Sequence, residues 1–168
     1  MPAAMHEWQV AGALVESDGR LLLVRNLRRG GFEDWSTPGG VIDASDPSLI
    51  DGLTREVEEE TGLVVSRWEG PLYSVEAVAV DLGWRMRCEV YRAIEFAGEV
   101  RVDDPDGIVV EAAFVPLADA VTVLEGCHRW VGEPLGEWLA EPWDVAAPRR
   151  FSYEVRGNLR DALDIVRL

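Results

Sequence analysis

Glu56, Glu59 and Glu60 follow Arg55 in the stretch Arg-Glu-Val-Glu-Glu-Glu-Thr-Gly-Leu, which runs from Arg55 to Leu63. In a helix at about 100° per residue, these three glutamates share an arc of about 100°, while Glu58 points elsewhere, toward solvent. Convergent carboxylates make a hard oxygen site suited to Mg²⁺ or Mn²⁺, cations that keep several waters and bridge to substrate phosphates. The competing reading is a solvated acidic helix face. Local energetics weigh against it, because carboxylates in the last turns of a helix meet an unfavourable dipole, about 0.3–1 kcal/mol each. Glu56 and Glu60 also form a like-charge i,i+4 pair, and only Arg55, four residues before Glu59, offers local relief. A concentrated breach of local preference points to a compensating function.

The elements that must position these residues are legible on either side. Residues 10–16 and 20–25 are apolar-rich runs separated by Asp18-Gly19, which reads as a β-hairpin. Residues 26–34 form a loop rich in arginine and glycine, and Pro38-Gly39-Gly40 reads as a second loop. Asp46 is the expected N-cap of the acidic helix, with Pro47 at its first position. Leu49, Ile50, Leu53 and Val57 give the buried stripe, and Gly62 the C-terminal cap. Strands are expected at residues 63–68, 72–80, 84–94 and 108–115, and a second helix at 117–124. In residues 84–94, Trp84, Met86, Cys88 and Val90 alternate with Arg85, Arg87, Glu89 and Tyr91, the period of a two-faced strand. The pattern predicts an α/β (α+β) fold, a central mixed sheet with helices packed on it.

Residues 126–168 carry a weaker signal. Trp130, Trp138 and Trp143 fall close together, residues 151–155 read as a strand, and a helix capped by Asn158 is expected to place Leu159, Ala162, Leu163 and Val166 on one face. We read residues 1–125 as the main domain and 126–168 as an extension that packs on it or on a partner subunit, compatible with a homodimer.

The net charge of −15 over 168 residues disfavours binding to nucleic-acid polymers or anionic membranes. An anionic small molecule stays compatible with it, because divalent cations invert the local field. No apolar run approaches the ~20 residues that span a bilayer, and residues 1–10 lack the layout of a secretion signal. Cys88 and Cys127 form neither a ligand pair nor a disulfide framework, so a reduced cytoplasm is the expected setting. All 16 basic residues are arginine, the side chain that grips phosphate through paired hydrogen bonds.

The stretch from Arg55 to Leu63 resembles the second half of the Nudix box, R-E-U-x-E-E-x-G-U with U aliphatic, and every specified position matches. Trp35-Ser36-Thr37-Pro38-Gly39-Gly40-Val41-Ile42-Asp43 resembles the Trp-x-x-Pro-Gly-Gly approach of that family. Val110-Glu111-Ala112-Ala113-Phe114-Val115-Pro116-Leu117 is similar to its late strand leading into a helix. The resemblance covers residues 8–125. The first half of the box departs from the pattern. It opens G-x5-E-x7-R, yet Pro47 stands where glutamate is expected, and Gly40 lies 15 residues before Arg55 instead of 14. Asp46 restores the spacing to Gly40 and is positioned to substitute in part.

The resemblance implies a Nudix-like α/β/α sandwich and a divalent-metal-dependent hydrolase that cleaves a pyrophosphate bond in a nucleoside diphosphate linked to another group. The substrate stays open between ADP-ribose or another sugar nucleotide and a (deoxy)nucleoside triphosphate. The alternative is a Nudix-fold protein that binds and senses a nucleotide without efficient catalysis. Glu56, Glu59 and Glu60 would coordinate Mg²⁺ (or Mn²⁺), with a backbone carbonyl at Gly39 or Gly40 completing the shell, and Arg55 would hold a carboxylate of the cluster. The family often adds a carboxylate from outside the box. Glu111 is the first candidate, with Asp103, Asp104 and Asp106 behind it, and Glu56, Glu59 or Glu111 could each serve as general base. Arg25, Arg28, Arg29, Arg85 and Arg87 are candidates for phosphate contact, and Trp35 for stacking on a base.

Overall fold

The structure of the protein, a computed structural model, describes residues 4–159 and 162–168. Among the described residues, ten strands and three α-helices follow one another, with one 3-10 turn at Val80–Leu82. The strands are β1 (His6–Leu14), β2 (Glu16–Ser17), β3 (Arg20–Leu27), β4 (Glu33–Ser36), β5 (Gly39–Val41), β6 (Val64–Ala79), β7 (Trp84–Ala97), β8 (Val109–Pro116), β9 (Arg149–Arg156) and β10 (Asp164–Arg167). The helices are α1 (Leu49–Thr61), α2 (Leu117–Val123) and α3 (Arg129–Ala140).

Two sheets form the centre. One is six-stranded and mixed, in the order β10-β9-β6-β7-β1-β5, with β1 parallel to β7 and β6 parallel to β9. The other is four-stranded, with β3 between β4 and β8 and the short β2 extending it. Alternation along the strands feeds two cores. Leu21 and Leu23 of β3 join Leu14, Tyr73, Val75 and Val90 beneath α2 and α3, whose Ala120, Leu135 and Trp138 are buried there. Leu22 points the other way, with Ala11, Ala13, Val65 and Ala93, onto Leu53 and Val57 of α1. The result is helices on both faces of a mixed sheet layer. Burial of each large side chain stabilises it by about 1.5–3 kcal/mol. Trp68 Nε1 donates to Thr54 Oγ1 at 2.9 Å and so pins α1 to β6. No helix among the described residues is long and apolar enough to cross a membrane.

Several sequence expectations need correction. The N-cap of α1 is Ser48, whose hydroxyl accepts from the Asp51 N–H at 3.0 Å; Asp46 is not the cap, and Pro47 lies outside the helix. Asp and Ser are equally good caps locally, and a tertiary partner described below claims Asp46. The two strands expected at residues 63–68 and 72–80 are one long strand, β6 (Val64–Ala79), whose pairing with β7 shifts register between Glu69 and Tyr73 around Gly70-Pro71. Gly39 and Gly40 lie in β5, paired with Gly12 and Ala11 of β1, so only part of that loop is irregular. The expected helix from Asn158 to Val166 is replaced at its end by β10, which pairs antiparallel with β9 through Ile165↔Val155 and Val166↔Glu154. Four apolar residues at helical spacing cannot outweigh an available ladder of backbone hydrogen bonds; residues 160 and 161 of that segment lie outside the described ones.

Candidate active site

Helix α1 runs with its acidic face toward the Gly39–Gly40 strand, and a cleft of about 500 Å³ opens between them. Glu56, Glu59, Glu60 and Arg55 line one wall, Gly39 and Gly40 a second, and Asp104 and Asp106 a third. Glu58 is exposed, as its helical angle requires.

The acidic end of the helix is held by backbone donors, with no basic residue in its last turn. Gly62, in the left-handed region at φ 79°, donates its N–H to Glu58 O at 2.8 Å. The segment after β7 then crosses the helix end, where Arg101 N–H donates to Thr61 O at 2.8 Å and Asp103 N–H to Glu59 O at 3.0 Å. These contacts satisfy carbonyls that a helix terminus otherwise leaves open. The same crossing brings the 104–106 loop to the cleft. Asp104 is committed to that loop, its Oδ2 accepting from Ile108 N–H at 3.0 Å and Val109 N–H at 2.9 Å, and its Oδ1 from Asp106 N–H at 3.1 Å. Asp106 lies close enough to raise the pKa of Glu56 by repulsion.

The carboxylates differ in setting. Glu60 is buried, and its Oε2 accepts from the Gly39 N–H at 3.0 Å. Burial pushes its pKa well above the ordinary range; the Gly39 bond opposes this, while Glu56, Asp104 and Glu59 add repulsion. Glu56 is also raised, chiefly by burial, although Arg55 beside it pulls the other way. Arg55 NH1 donates to Glu56 Oε1 at 3.0 Å and to Glu59 Oε2 at 3.3 Å, while its Nε and NH2 engage Asp46 at 3.0 and 2.9 Å. Those bonds, Asp46 foremost, hold the guanidinium firmly protonated.

Among the described residues, no three acidic, histidine or cysteine side chains are already drawn together as a ligand set. Arg55 and the Gly39 N–H hold the glutamates in its place. The donor chemistry nevertheless suits a hard divalent cation, being all carboxylate and backbone oxygen. The glycine strand lies close against the cluster, since a Cβ on Gly40 would lie 2.7 Å from Glu56 Oε2. Glycine is what lets the backbone of β5 come this close.

Among the phosphate candidates, Arg28 lines the cleft, its Nε donating to Asp34 Oδ1 at 3.1 Å. Seven other sequence candidates lie outside its lining: Arg25, Arg29, Trp35, Arg85, Arg87, Asp103 and Glu111. Arg25 Nε donates to Glu111 Oε2 at 2.9 Å across β3 and β8, and Arg25 also pairs with Glu33 at 2.8 Å. Trp35 packs on the core beneath α2 and α3. Arg85 and Arg87 pair with Glu7 and Glu76. The sequence reading missed a polar cluster at the cleft wall, where buried Asn26 donates through Nδ2 to Asp34 Oδ1 at 3.0 Å and Ser36 Oγ at 2.9 Å. An asparagine ending the apolar run of β3 was its available signal. Cys88 and Cys127 are raised by burial, to about 12 and about 11, and act as packing residues.

The fold is matched in known proteins. The NUDIX domain family model matches residues 5–139. This chain belongs to the Nudix family. The crystal structure of a MutT NUDIX hydrolase from Burkholderia pseudomallei resembles this Nudix chain with TM-score 0.58 and 31% identity, over 67% of this chain and 85% of that one. The solution structure of the E. coli ORF135 protein matches with TM-score 0.65 over 83% and 96% of the two chains, a likeness of fold at 20% identity. A "MutT-like protein" of Streptomyces ambofaciens is 44% identical over 61 residues, 36% of this chain, so the match spans about 37% of that curated relative's length.

Proposed function

We propose that this Nudix chain hydrolyses a pyrophosphate bond in a nucleoside diphosphate linked to another group, using Mg²⁺ or Mn²⁺ held by Glu56, Glu59 and Glu60. One observation carries the reading: Glu56 and Glu60 are both buried on the same helix face, against a glycine strand, with raised pKa values. Buried carboxylates that repel one another are accommodated by a proton or by a cation, and a cation is the neutraliser compatible with a phosphate ligand. Against a substrate that is itself anionic, this is the arrangement that lets an acidic protein bind it.

The bound cation would polarise a phosphoryl oxygen and acidify a water. The remaining work falls to the chain's own side chains. Arg28 at the cleft wall offers donors to phosphate oxygens, and Gly39 and Gly40 leave the approach unobstructed. The attacking water's oxygen bonds to phosphorus as the bond to the bridging oxygen breaks. Its proton passes to a carboxylate oxygen of Glu56, Glu59 or Asp106. We assign Asp106, in place of Glu111, as the carboxylate supplied from outside the helix, because Asp106 lines the cleft. Sugar nucleotides of the ADP-ribose type and (deoxy)nucleoside triphosphates both present the required anhydride.

The test is a panel of ADP-ribose, NADH, diadenosine polyphosphates, coenzyme A and dNTPs with Mg²⁺ or Mn²⁺. Cleavage of at least one is expected, and Glu59→Gln or Glu60→Gln should lower its rate roughly 100-fold or more, the scale of losing a metal ligand. Wild-type rates in both variants would sink the assignment. Tight binding of one compound with no cleavage overturns the hydrolase in favour of a nucleotide sensor.

A further inference from the structure

Helix α1 carries an interior glycine, Gly52, three residues before Arg55. Glycine there weakens a helix relative to alanine, and Gly52 has no positive φ to require it. Space accounts for it instead. A Cβ on Gly52 would lie 2.7 Å from Asp46 Oδ2, 3.0 Å from Asp46 Cγ and 2.9 Å from Ile42 Cδ1. The Asp46 carboxylate is therefore seated against bare helix backbone, with its side chain only 7% exposed.

From that seat both carboxylate oxygens face Arg55, Oδ1 accepting from Nε at 3.0 Å and Oδ2 from NH2 at 2.9 Å. Oδ2 also accepts from the Asp43 N–H at 2.8 Å, and Asp46 N–H donates to Asp43 O at 3.0 Å. This turn lies between Gly40 and Arg55, and α1 starts after it, at Leu49. Arg55 thus has one edge held by Asp46, and its remaining nitrogen, NH1, reaches Glu56 and Glu59. Asp43 is a weaker partner, 3.4 Å from NH2 and mostly exposed.

The geometry points to Gly52 and Asp46 as a coupled positioning pair: the absent side chain of Gly52 seats Asp46, and Asp46 fixes Arg55 in the pose that orients Glu56 and Glu59. Neither residue lines the cleft as a ligand. Their effect on cation binding rests on the metal role proposed above. A guanidinium gripped along one edge by a carboxylate has a fixed plane. Without Asp46, its nearest well-ordered partners are Glu56 and Glu59, and it competes with a cation for them.

A double-mutant cycle with Gly52→Ala and Asp46→Ala in the full chain tests the coupling. Three readouts are taken: Mn²⁺ affinity from the free-ion EPR signal, the Arg55 Nε–H NMR resonance, and Tm. Each single variant is expected to weaken Mn²⁺ binding about fivefold or more and to abolish the exchange-protected Arg55 Nε–H signal of the wild type. In the Asp46→Ala background, Gly52→Ala should weaken Mn²⁺ no further and should raise Tm, since only the flexible tip of Ile42 must then yield. Additive losses, or a Gly52→Ala protein with wild-type Mn²⁺ affinity and an intact Nε–H signal, overturn the pair. A wild-type protein that binds no Mn²⁺ refutes the metal role alone; the Nε–H signal across the four proteins then decides the pair by itself.

Discussion

The Gly39 N–H donates to Glu60 Oε2 at 3.0 Å, which joins the glycine strand to the most deeply held carboxylate of α1. The bond fixes the depth of the cleft: β5 and the helix cannot separate without leaving a buried carboxylate unpaired, at a cost of about 1–3 kcal/mol or more for a charged group. It also divides the roles of the two glycines. Gly39 sits at φ 145°, and a Cβ there would come within 2.1 Å of Ala11 O, whereas at Gly40 it would meet the Glu56 carboxylate.

Gly39→Ala and Gly40→Ala should therefore fail differently. The first meets backbone and is expected to cost about 2 kcal/mol or more of stability, read as a lower urea midpoint. The second meets a side chain that can move, so stability stays close to wild type while Mn²⁺ affinity and turnover fall. Equal stability losses in both variants would contradict this division.

Glu111 and Asp106 are separated by a simple comparison. Glu111 is held by Arg25 at 2.9 Å outside the cleft, while Asp106 lines it. Glu111→Gln should change turnover less than about threefold, and Asp106→Asn should lower it about 10-fold or more, toward the range of a lost proton-transfer or ligand group. The reverse order, measured on the same substrate, would return the role to Glu111.

Arg87 offers a check on the sheet face. Its Nε donates to Glu76 Oε2 at 3.1 Å and its side chain is 56% exposed. Exposed pairs of this kind contribute about 0–1 kcal/mol. Arg87→Ala should leave KM within roughly twofold and stability within about 1 kcal/mol. A large rise in KM would mean that substrate reaches this face.

His128 gives stability a pH dependence. It stacks on Trp130 with ring centroids 4.2 Å apart, and burial lowers its pKa, with Asp34 opposing and Arg28 adding to the shift. The folded protein then takes up this proton less readily than the unfolded chain. Its contribution is fully present above the unfolded value of about 6.5 and is lost as pH falls through that value toward the folded one. Between about pH 7.5 and 5.5, Tm should fall more for the wild type than for His128→Gln. Parallel curves would show that His128 titrates normally.

The sequence by itself determined the acidic helix, its left-handed Gly62 cap and the two-faced pattern of β7. Each of these rests on local stereochemistry or on a side-chain period, which a few adjacent residues fully express. Tertiary structure decided what neighbours in space decide. Asp46 is not the cap of α1, because Arg55, nine residues on, holds it by both oxygens. Glu111 is drawn from the cleft by Arg25 on the adjacent strand, 86 residues away. β10 replaces the end of an expected helix because β9 offers a free edge to pair with. Charge–charge and strand–strand partners distant along the chain leave no periodic trace in it, so the three convergent glutamates of α1 could be read from the sequence, but which carboxylate from outside the helix faces their cleft could not.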